Sequence, residues 1–556
     1  MTISERFMPL GSRAILVLST LLVLSPALNY GLGRRTAASE PSLRPNVLHI
    51  IVDDLRPALA SYGDPVAKTP AFDRLAARGV QFDRAYAQYP ICGPSRASFL
   101  SGLRPQTMDY FGWTTPAGVT LMPAWFREHG YFTAEFGKVF HLDRLLFDDE
   151  IAAVERRTGK PYRPVFRTLN PPGCWDISDI CATDDDPDGY GYLYGTALRK
   201  EDARATKHVV SRGSLRPNGL KGGWYWQEWA ETNLRDEETS DGIVVRRAVE
   251  AMTRALNAGR PFYVAAGIRR PHQVLAAPQR YFDLYPLNTI PMPPAEPRDH
   301  LDKVPPLALN FDRAFAYSGY SDADRRQLWR AYYANISFAD AQVAVLLDAL
   351  DRLDLWKNTI VVFHSDHGWH LGEHGGLGNK DTLFEESTRS PLIIAAPGYG
   401  SSAGKSSPRP VELVDVFPTL ASLCRLPPPA QLDGMSLQPL LKDPEASKFR
   451  AGAISVVRRR VAGREGKGFS GMAIRLNSDA GPPRKILGRS VRTETWRYTE
   501  WDGGKLGVEL YDMTNDPREL NNLADVSEFA AVRTKLNTLL RQLDPTTADS
   551  ERTSTP

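Results

Sequence analysis

Asn46-Val47-Leu48-His49-Ile50-Ile51-Val52 (NVLHIIV) runs almost without interruption through apolar residues and stops at Asp53-Asp54. A run of this length and continuity suits a strand buried on both faces of a parallel sheet. Three further runs share the character. Phe262 to Gly267 (FYVAAG) leads to Arg269-Arg270-Pro271-His272, Thr359 to Phe363 (TIVVF) leads to His364-Ser365-Asp366-His367-Gly368, and Pro391 to Ala396 (PLIIAA) closes at Pro397-Gly398. Between them lie helical patterns. Phe72, Leu75 and Ala76 share one side of Ala71 to Gly79, where Gly79 is a stop, and Val343, Leu346, Leu347 and Leu350 form a stripe on Ile336 to Leu353. Strands alternating with helices predict an α/β fold: a large domain with a mostly parallel central sheet flanked by helices. Ligands in such sheets bind beyond the carboxyl ends of the strands. Polar clusters follow three of the predicted strands in that position and are expected to converge.

The organisation expected outward from this core is a signal peptide and linker over residues 1–40, the large α/β domain over 44–426, a smaller α+β C-terminal domain over 427–545, and a disordered tail over 546–556. Arg6 and Arg13 precede the apolar run Ala14 to Leu28, and Ser39 to Arg44 reads as linker. That run is shorter than the ~20 residues a membrane span needs and fits a signal h-region. Export to a secreted or periplasmic location without a stable membrane span is therefore expected, with an uncleaved anchor as the alternative. Of the 556 residues 42% are hydrophobic and 24% charged, and the formal charge is +3. So slight a charge gives no basis for nucleic-acid binding. Cys174 and Cys181, in a Pro/Gly/Asp-rich loop, could pair in an exported protein. Cys424 is expected in the core, Asp184-Asp185-Asp186 in solvent, and Arg458-Arg459-Arg460 in a basic loop.

Asp53 and Asp54 at a strand end suit a hard divalent cation, which takes oxygen ligands. Asp366 and His367 repeat the arrangement, and four of the ten histidines (His364, His367, His370 and His374) fall within eleven residues. Acid-rich ligation favours Ca²⁺ or Mg²⁺, and the histidine admits Mn²⁺. Each feature alone has a plainer reading. An aspartate can cap a turn, Lys138 and Lys380 can be surface lysines, His141, His272 and His367 can be ordinary hydrogen-bonded histidines, and Cys92 can be a small buried side chain ahead of a helix.

In chain order, Asp53-Asp54, Cys92-Gly93-Pro94-Ser95-Arg96, Gly137-Lys138-Val139-Phe140-His141, Arg270-Pro271-His272, Asp366-His367-Gly368 and Lys380 resemble the sulfatases of the alkaline-phosphatase-like superfamily. The resemblance runs from about Pro45 to the end of the second domain, where Glu509-Leu510-Tyr511-Asp512, Asp516-Pro517 and Asn522-Leu523-Ala524 belong to it. Within the family it points to the iduronate-2-sulfatase type, through Val52 to Pro57, Gly137 to His141 and Ser365 to His374. His367 is telling, because many other sulfatases carry asparagine there.

The resemblance implies that Cys92 is converted to formylglycine by a formylglycine-generating or other sulfatase-maturing enzyme, and that the hydrated aldehyde attacks sulfur. It implies one divalent metal, Ca²⁺ first with Mg²⁺ or Mn²⁺ as alternatives, held by Asp53, Asp54, Asp366, His367 and modified Cys92. Arg96 would hold the hydrate, Lys138 would bind hydrate and sulfate, and His272 and Lys380 would bind sulfate and protonate the leaving alkoxide. His141 would take the proton that releases sulfate. The implied substrate is a sulfated carbohydrate with a 2-O-sulfated uronate, whose carboxylate would meet Arg269 and Arg270. The loop after His374 is one residue longer than the type's pattern, and the residues flanking Arg270-Pro271-His272 differ. Competing readings are an aryl- or choline-sulfate hydrolase, a phosphonate or phosphate ester hydrolase of the superfamily, and a non-catalytic polyanion-binding member. The last would be expected to lack catalytic residues, and none is missing.

Overall fold

The computed structural model describes residues 44–108, 118–141, 173–179, 209–215, 227–292, 296–309, 321–375, 377–461, 466–467, 473–474 and 484–544. Its centre is a nine-stranded sheet. In chain order the strands are β1 (Asn46–Val52), β2 (Val80–Tyr86), β3 (Phe132–Gly137), β4 (Ile177–Asp179), β5 (Phe262–Ile268), β6 (Thr359–Ser365), β7 (Arg389–Ser390), β8 (Leu392–Ala395) and β9 (Lys405–Glu412). They lie in the order β7-β2-β8-β6-β1-β5-β3-β4, with β9 also paired to β2. Strand β1 is parallel to both β5 and β6, and β3 is parallel to β5 and β4. The short β8 runs antiparallel to β6 and β2. The expected mostly parallel sheet is therefore present, with β1 at its middle.

Strand β1 is buried along its whole length because both faces are covered. Leu48, Ile50 and Val52 join a core completed by α1 (Pro70–Arg78), α3 (Ser240–Asn257) and α4 (Asp322–Arg352). Val47 and Ile51 join the opposite core, completed by α2 (Cys92–Ser101), helix Met122–Glu128 and α5 (Val416–Leu423). Cys424 caps α5 and is buried there, as expected. At about 25 cal/mol per Å² of apolar surface removed from water, two such layers dominate the stability of the domain.

Several elements differ from the sequence expectation. Helix α4 begins at Asp322 rather than Ile336: its buried face reaches back to Leu328, and Ser321 and Asp324 close a capping box ahead of the polar first turns. Strand β3 carries Glu135 in its buried centre, a charge that masks the apolar pattern. Burial pushes this carboxyl up to about 8, and Ser178 donates to it at 2.6 Å. Arg458 to Arg460 are not in a loop. They lie in strand Ala453–Val461 of a four-stranded antiparallel sheet completed by Arg484–Arg492, Trp496–Trp501 and Val508–Asp512. Burial and pairing of Arg459 replace the solvent that a basic run normally seeks. This sheet and α6 (Ala530–Leu543) share a core with Tyr89, Ile91, Leu383 and Phe384 of the first part of the chain. Cys174 is a free buried thiol. The expected signal segment, Cys181, Asp184 to Asp186 and the tail lie outside the described residues. Among the described residues no helix is long and apolar enough to cross a membrane.

Candidate active site

Because β1, β3, β5 and β6 run parallel, the segments leaving their carboxyl ends meet at one edge of the sheet. The ladder pattern continues into them: Asp53 N donates to Ile268 O at 3.0 Å, Lys138 N to Gly267 O at 2.9 Å, and Asp366 N to Val52 O at 3.3 Å. Glycine permits the closest crossing. A Cβ on Gly267 would lie 2.2 Å from the Lys138 carbonyl, and Gly137 holds φ +72°. Helix α2 begins over this edge with Cys92 as its first residue, at the end whose dipole favours negative charge. Every residue of α2 is buried.

Cys92 Sγ lies 3.0 Å from Lys380 Nζ, 3.4 Å from His367 Nε2, 3.5 Å from Asp53 Oδ1 and 3.9 Å from Asp54 Oδ1. His141 is also against it. Burial pushes the Cys92 thiol up, but Lys138, Lys380 and His367 outweigh burial and hold it well below the usual thiol range. Negative charge at this position is thus stabilised. Burial holds the His141 imidazole down at about 4, so the ring is neutral at ordinary pH.

Arg96, one helical turn after Cys92, binds the strand ends together. Its Nε donates to Asp366 Oδ2 at 3.0 Å, one terminal nitrogen to Asp53 Oδ1 at 3.1 Å, and the other to Val139 O at 3.0 Å and to Lys138 O. Lys138 pairs with Asp53, and Lys380 with Asp54 Oδ1 at 2.5 Å. Burial and Cys92 push Asp53 up, yet Lys138, His272 and Arg96 keep it below the usual carboxylate range. Burial, with Asp53 and Cys92 adding to it, pushes Asp366 up to about 7 against Arg96 and His367. Burial works against the Lys380 cation, but Asp54, Cys92 and Asp53 keep it charged.

The donor set can accommodate a divalent cation. Asp53, Cys92, Asp366 and His367 each aim one ligand atom into a space where all four lie within 4.8 Å of one another. Asp54 Oδ2 is buried without a hydrogen-bond donor, with His272 Nε2 3.8 Å away. His367 Nδ1 donates to Gly368 O at 2.9 Å, so Nε2 faces Asp54 and Asp366, each 3.5 Å away. Burial opposes the charged ring, but Asp366 and Cys92 push it up to about 9, and a cation held here would take the place of the Nε2 proton. The carboxylates of Asp53, Asp54 and Asp366 face Arg96, Lys138 and Lys380, with His367 as a further partner.

A sulfatase family model matches residues 45–425. The chain belongs to the sulfatase family. It is a sulfuric ester hydrolase, and its family implies a metal ion and a formylglycine formed from a cysteine. The sulfatase is 30% identical to iduronate 2-sulfatase of Homo sapiens, over 91% of this chain and 96% of that one. It is also 30% identical to a sulfatase of Formosa agariphila, over 92% and 90%. Among solved structures, the phosphonate monoester hydrolase of Agrobacterium radiobacter superposes with a TM-score of 0.66 at 26% identity, covering 90% of this chain and 96% of that one.

The remaining expected residues of the sulfatase are placed as follows. His272 reaches the cluster, with Nδ1 donating to Gln273 O at 2.7 Å and Nε2 toward Asp54. Arg269 and Arg270 precede it on the same segment and are buried. The carboxylate of Asp241 accepts from both their backbone nitrogens, at 2.8 and 3.0 Å, and Arg270 Nε donates to Ala276 O at 2.8 Å. Asp241 is a participant the sequence reading missed, since an acid in the first turn of a helix is unremarkable. The histidine cluster divides. His367 belongs to the site, His364 Nε2 meets His49 Nε2 at 2.8 Å beneath it, His370 pairs with Thr382 at 2.8 Å, and His374 faces Glu386 at 3.6 Å. Lys380 follows the hairpin of His370–Leu371 with Leu377–Asn379, so the longer loop still delivers it to Cys92.

Proposed function

We propose that this sulfatase removes 2-O sulfate from a uronic acid of a sulfated carbohydrate. The observation that carries this reading is the likeness to iduronate 2-sulfatase along nearly the whole of both chains. We take Cys92 as the site of formylglycine, because Pro94 and Arg96 accompany it and its surroundings stabilise negative charge where a nucleophile would develop. The hydrated aldehyde would supply the nucleophile, and a divalent cation, Ca²⁺ first, held by Asp53, Asp54, Asp366, His367 and the modified residue would supply Lewis-acid stabilisation of the sulfate oxygens.

The other roles belong to the chain's own side chains. Lys138 and Lys380 draw the sulfate toward Cys92 and balance its charge. Arg96 fixes the orientation of Asp53 and Asp366. His272 and Lys380 provide the proton for the departing sugar oxygen. His141, neutral and against Cys92, accepts the proton that must leave before sulfate is released. Arg269 and Arg270 supply positive charge beside His272 for the uronate carboxylate. Export through residues 1–40, maturation by a formylglycine-generating enzyme, and division into a catalytic domain (44–426) and a C-terminal domain (427–545) complete the reading.

A second reading has a specific support. The likeness to the Agrobacterium radiobacter phosphonate monoester hydrolase makes a phosphonate ester the rival substrate. One panel decides between them: a 2-O-sulfated uronate disaccharide, an aryl sulfate and a phosphonate monoester, each with wild type and Arg269→Ala. The uronate should show the highest kcat/KM, and Arg269→Ala should weaken it by about 2–5 kcal/mol more than the aryl sulfate. Equal losses, or no cleavage of the uronate, would retire the uronate assignment. Peptide mass spectrometry over Cys92 should show a mass loss relative to the thiol, and Cys92→Ala should abolish turnover while preserving the fold. Full activity with an intact thiol would retire the mechanism.

A further inference from the structure

Arg459, part of the basic run in the C-terminal sheet, has no exposed surface. Its guanidinium reaches the peptide next to Lys380. One terminal nitrogen donates to Asp381 Oδ2 at 2.9 Å, the other donates to Asp381 O, and Nε donates to Leu307 O at 3.2 Å. The planar group also lies over the Trp501 ring, 5.7 Å from its centroid. Asp381 is itself unusual. It is buried, holds φ +64°, and its N–H donates to Pro90 O at 2.9 Å, two residues before Cys92. A non-glycine residue in the left-handed region persists when its surroundings hold it there. Lys380 leaves this turn with its Nζ 3.0 Å from Cys92 Sγ and 2.5 Å from Asp54 Oδ1, its ammonium 5.2 Å from the Trp369 ring centroid.

The geometry points to Arg459 as a positioning residue for Lys380: the C-terminal sheet clamps Asp381 through a two-pronged contact and thereby sets where the lysine ammonium stands relative to the reacting sulfate. This rests on the proposed role of Lys380 at sulfate. Two donors in a fixed fork, one on the side chain and one on the carbonyl of the same residue, define the orientation of that residue in a way a lysine cannot reproduce. A misplacement of about 1 Å at a reacting centre is enough for a loss on the order of a hundredfold.

The test is a double-mutant cycle on sulfate ester hydrolysis by full-length, matured protein, with Arg459→Lys, Arg459→Met, Lys380→Met and the two combinations. Arg459→Lys should keep a folded protein by circular dichroism and thermal melting, and should lower kcat roughly ten- to a hundredfold with KM changed much less. In the Lys380→Met background both Arg459 substitutions should have almost no further effect on kcat. If instead the losses multiply, Arg459 acts independently of Lys380 and the positioning role is overturned while the role of Lys380 stands. If Lys380→Met retains full activity, the role of Lys380 itself fails, and the positioning role with it. Should Arg459→Met not fold, the Arg459→Lys cycle alone decides.

Discussion

One oxygen of Asp54 is buried without a hydrogen-bond donor, while the other is engaged by Lys380. A carboxylate left in this condition destabilises the molecule unless a cation completes its shell. Asp54→Ala and Asp366→Ala should therefore lose bound divalent metal as well as activity, and elemental analysis after dialysis should show the loss. If chelation and reconstitution leave wild-type activity unchanged, the metal assignment is wrong. Residues of this kind were legible in the sequence because charged side chains directly after apolar strands are conspicuous. Asp241 was not legible, since its role is to hold two backbone nitrogens about thirty residues away, and nothing in its neighbourhood signals that.

At the level of elements, the site depends on two strand ends crossing more closely than side chains allow. Gly267 meets the backbone of Lys138, and Gly137 meets Gly267 O, 2.3 Å from where its Cβ would lie. Gly267→Ala should push the Lys138 segment away from Asp53, costing about 1–3 kcal/mol of stability and a disproportionate share of activity. Denaturant unfolding together with kcat checks this, and unchanged kcat in a destabilised protein would contradict it. The strands flanking this crossing were unequally visible. β1 and β6 read directly from their apolar runs, whereas β3 was hidden by Glu135, whose charge burial largely removes. The start of α4 was hidden because its first turns, before the buried face begins at Leu328, are polar and marked only by a capping box. Arg458 to Arg460 were misread because triple arginine normally signals solvent, and the buried partner of Arg459 lies 78 residues earlier.

Across the whole molecule, the loop carrying His370 and His374 is tied to the C-terminal region through buried charge. His374 faces Glu386 at 3.6 Å, its N–H donates to Glu296 at 2.8 Å, and its ring stacks on Phe384 with His300 and His370 nearby. Glu519, paired with Arg497, brings a carboxylate oxygen within 4.8 Å of both Glu386 and His374. Burial opposes the His374 imidazolium, but Glu386, followed by Glu296 and Glu519, pushes it up to about 9. The charged form is favoured by folding, so its contribution is fully present below the unfolded value near 6.5 and is lost as pH rises through about 9. The contribution is at most about 3 kcal/mol. Thermal melts should show stability falling over that window, and His374→Gln should flatten the fall. An unchanged slope in the variant would refute the linkage. The joint between the two parts of the chain was the least legible feature, because it is made of ion pairs between distant residues whose individual segments look like ordinary surface.

Cys92 is 2% exposed and begins a helix with no exposed residue, sealed by strand ends drawn from positions 53 to 380. On the proposed conversion of Cys92, a modifying enzyme would find this segment closed off in the finished fold. Conversion would then compete in time with closure of the sheet, and would have to occur while β6 and the Lys380 hairpin are still unsynthesised or undocked. Faster folding would leave a larger fraction of well-folded, thiol-bearing and inactive molecules, so that yield of active protein would depend on the order of events during synthesis as much as on final stability.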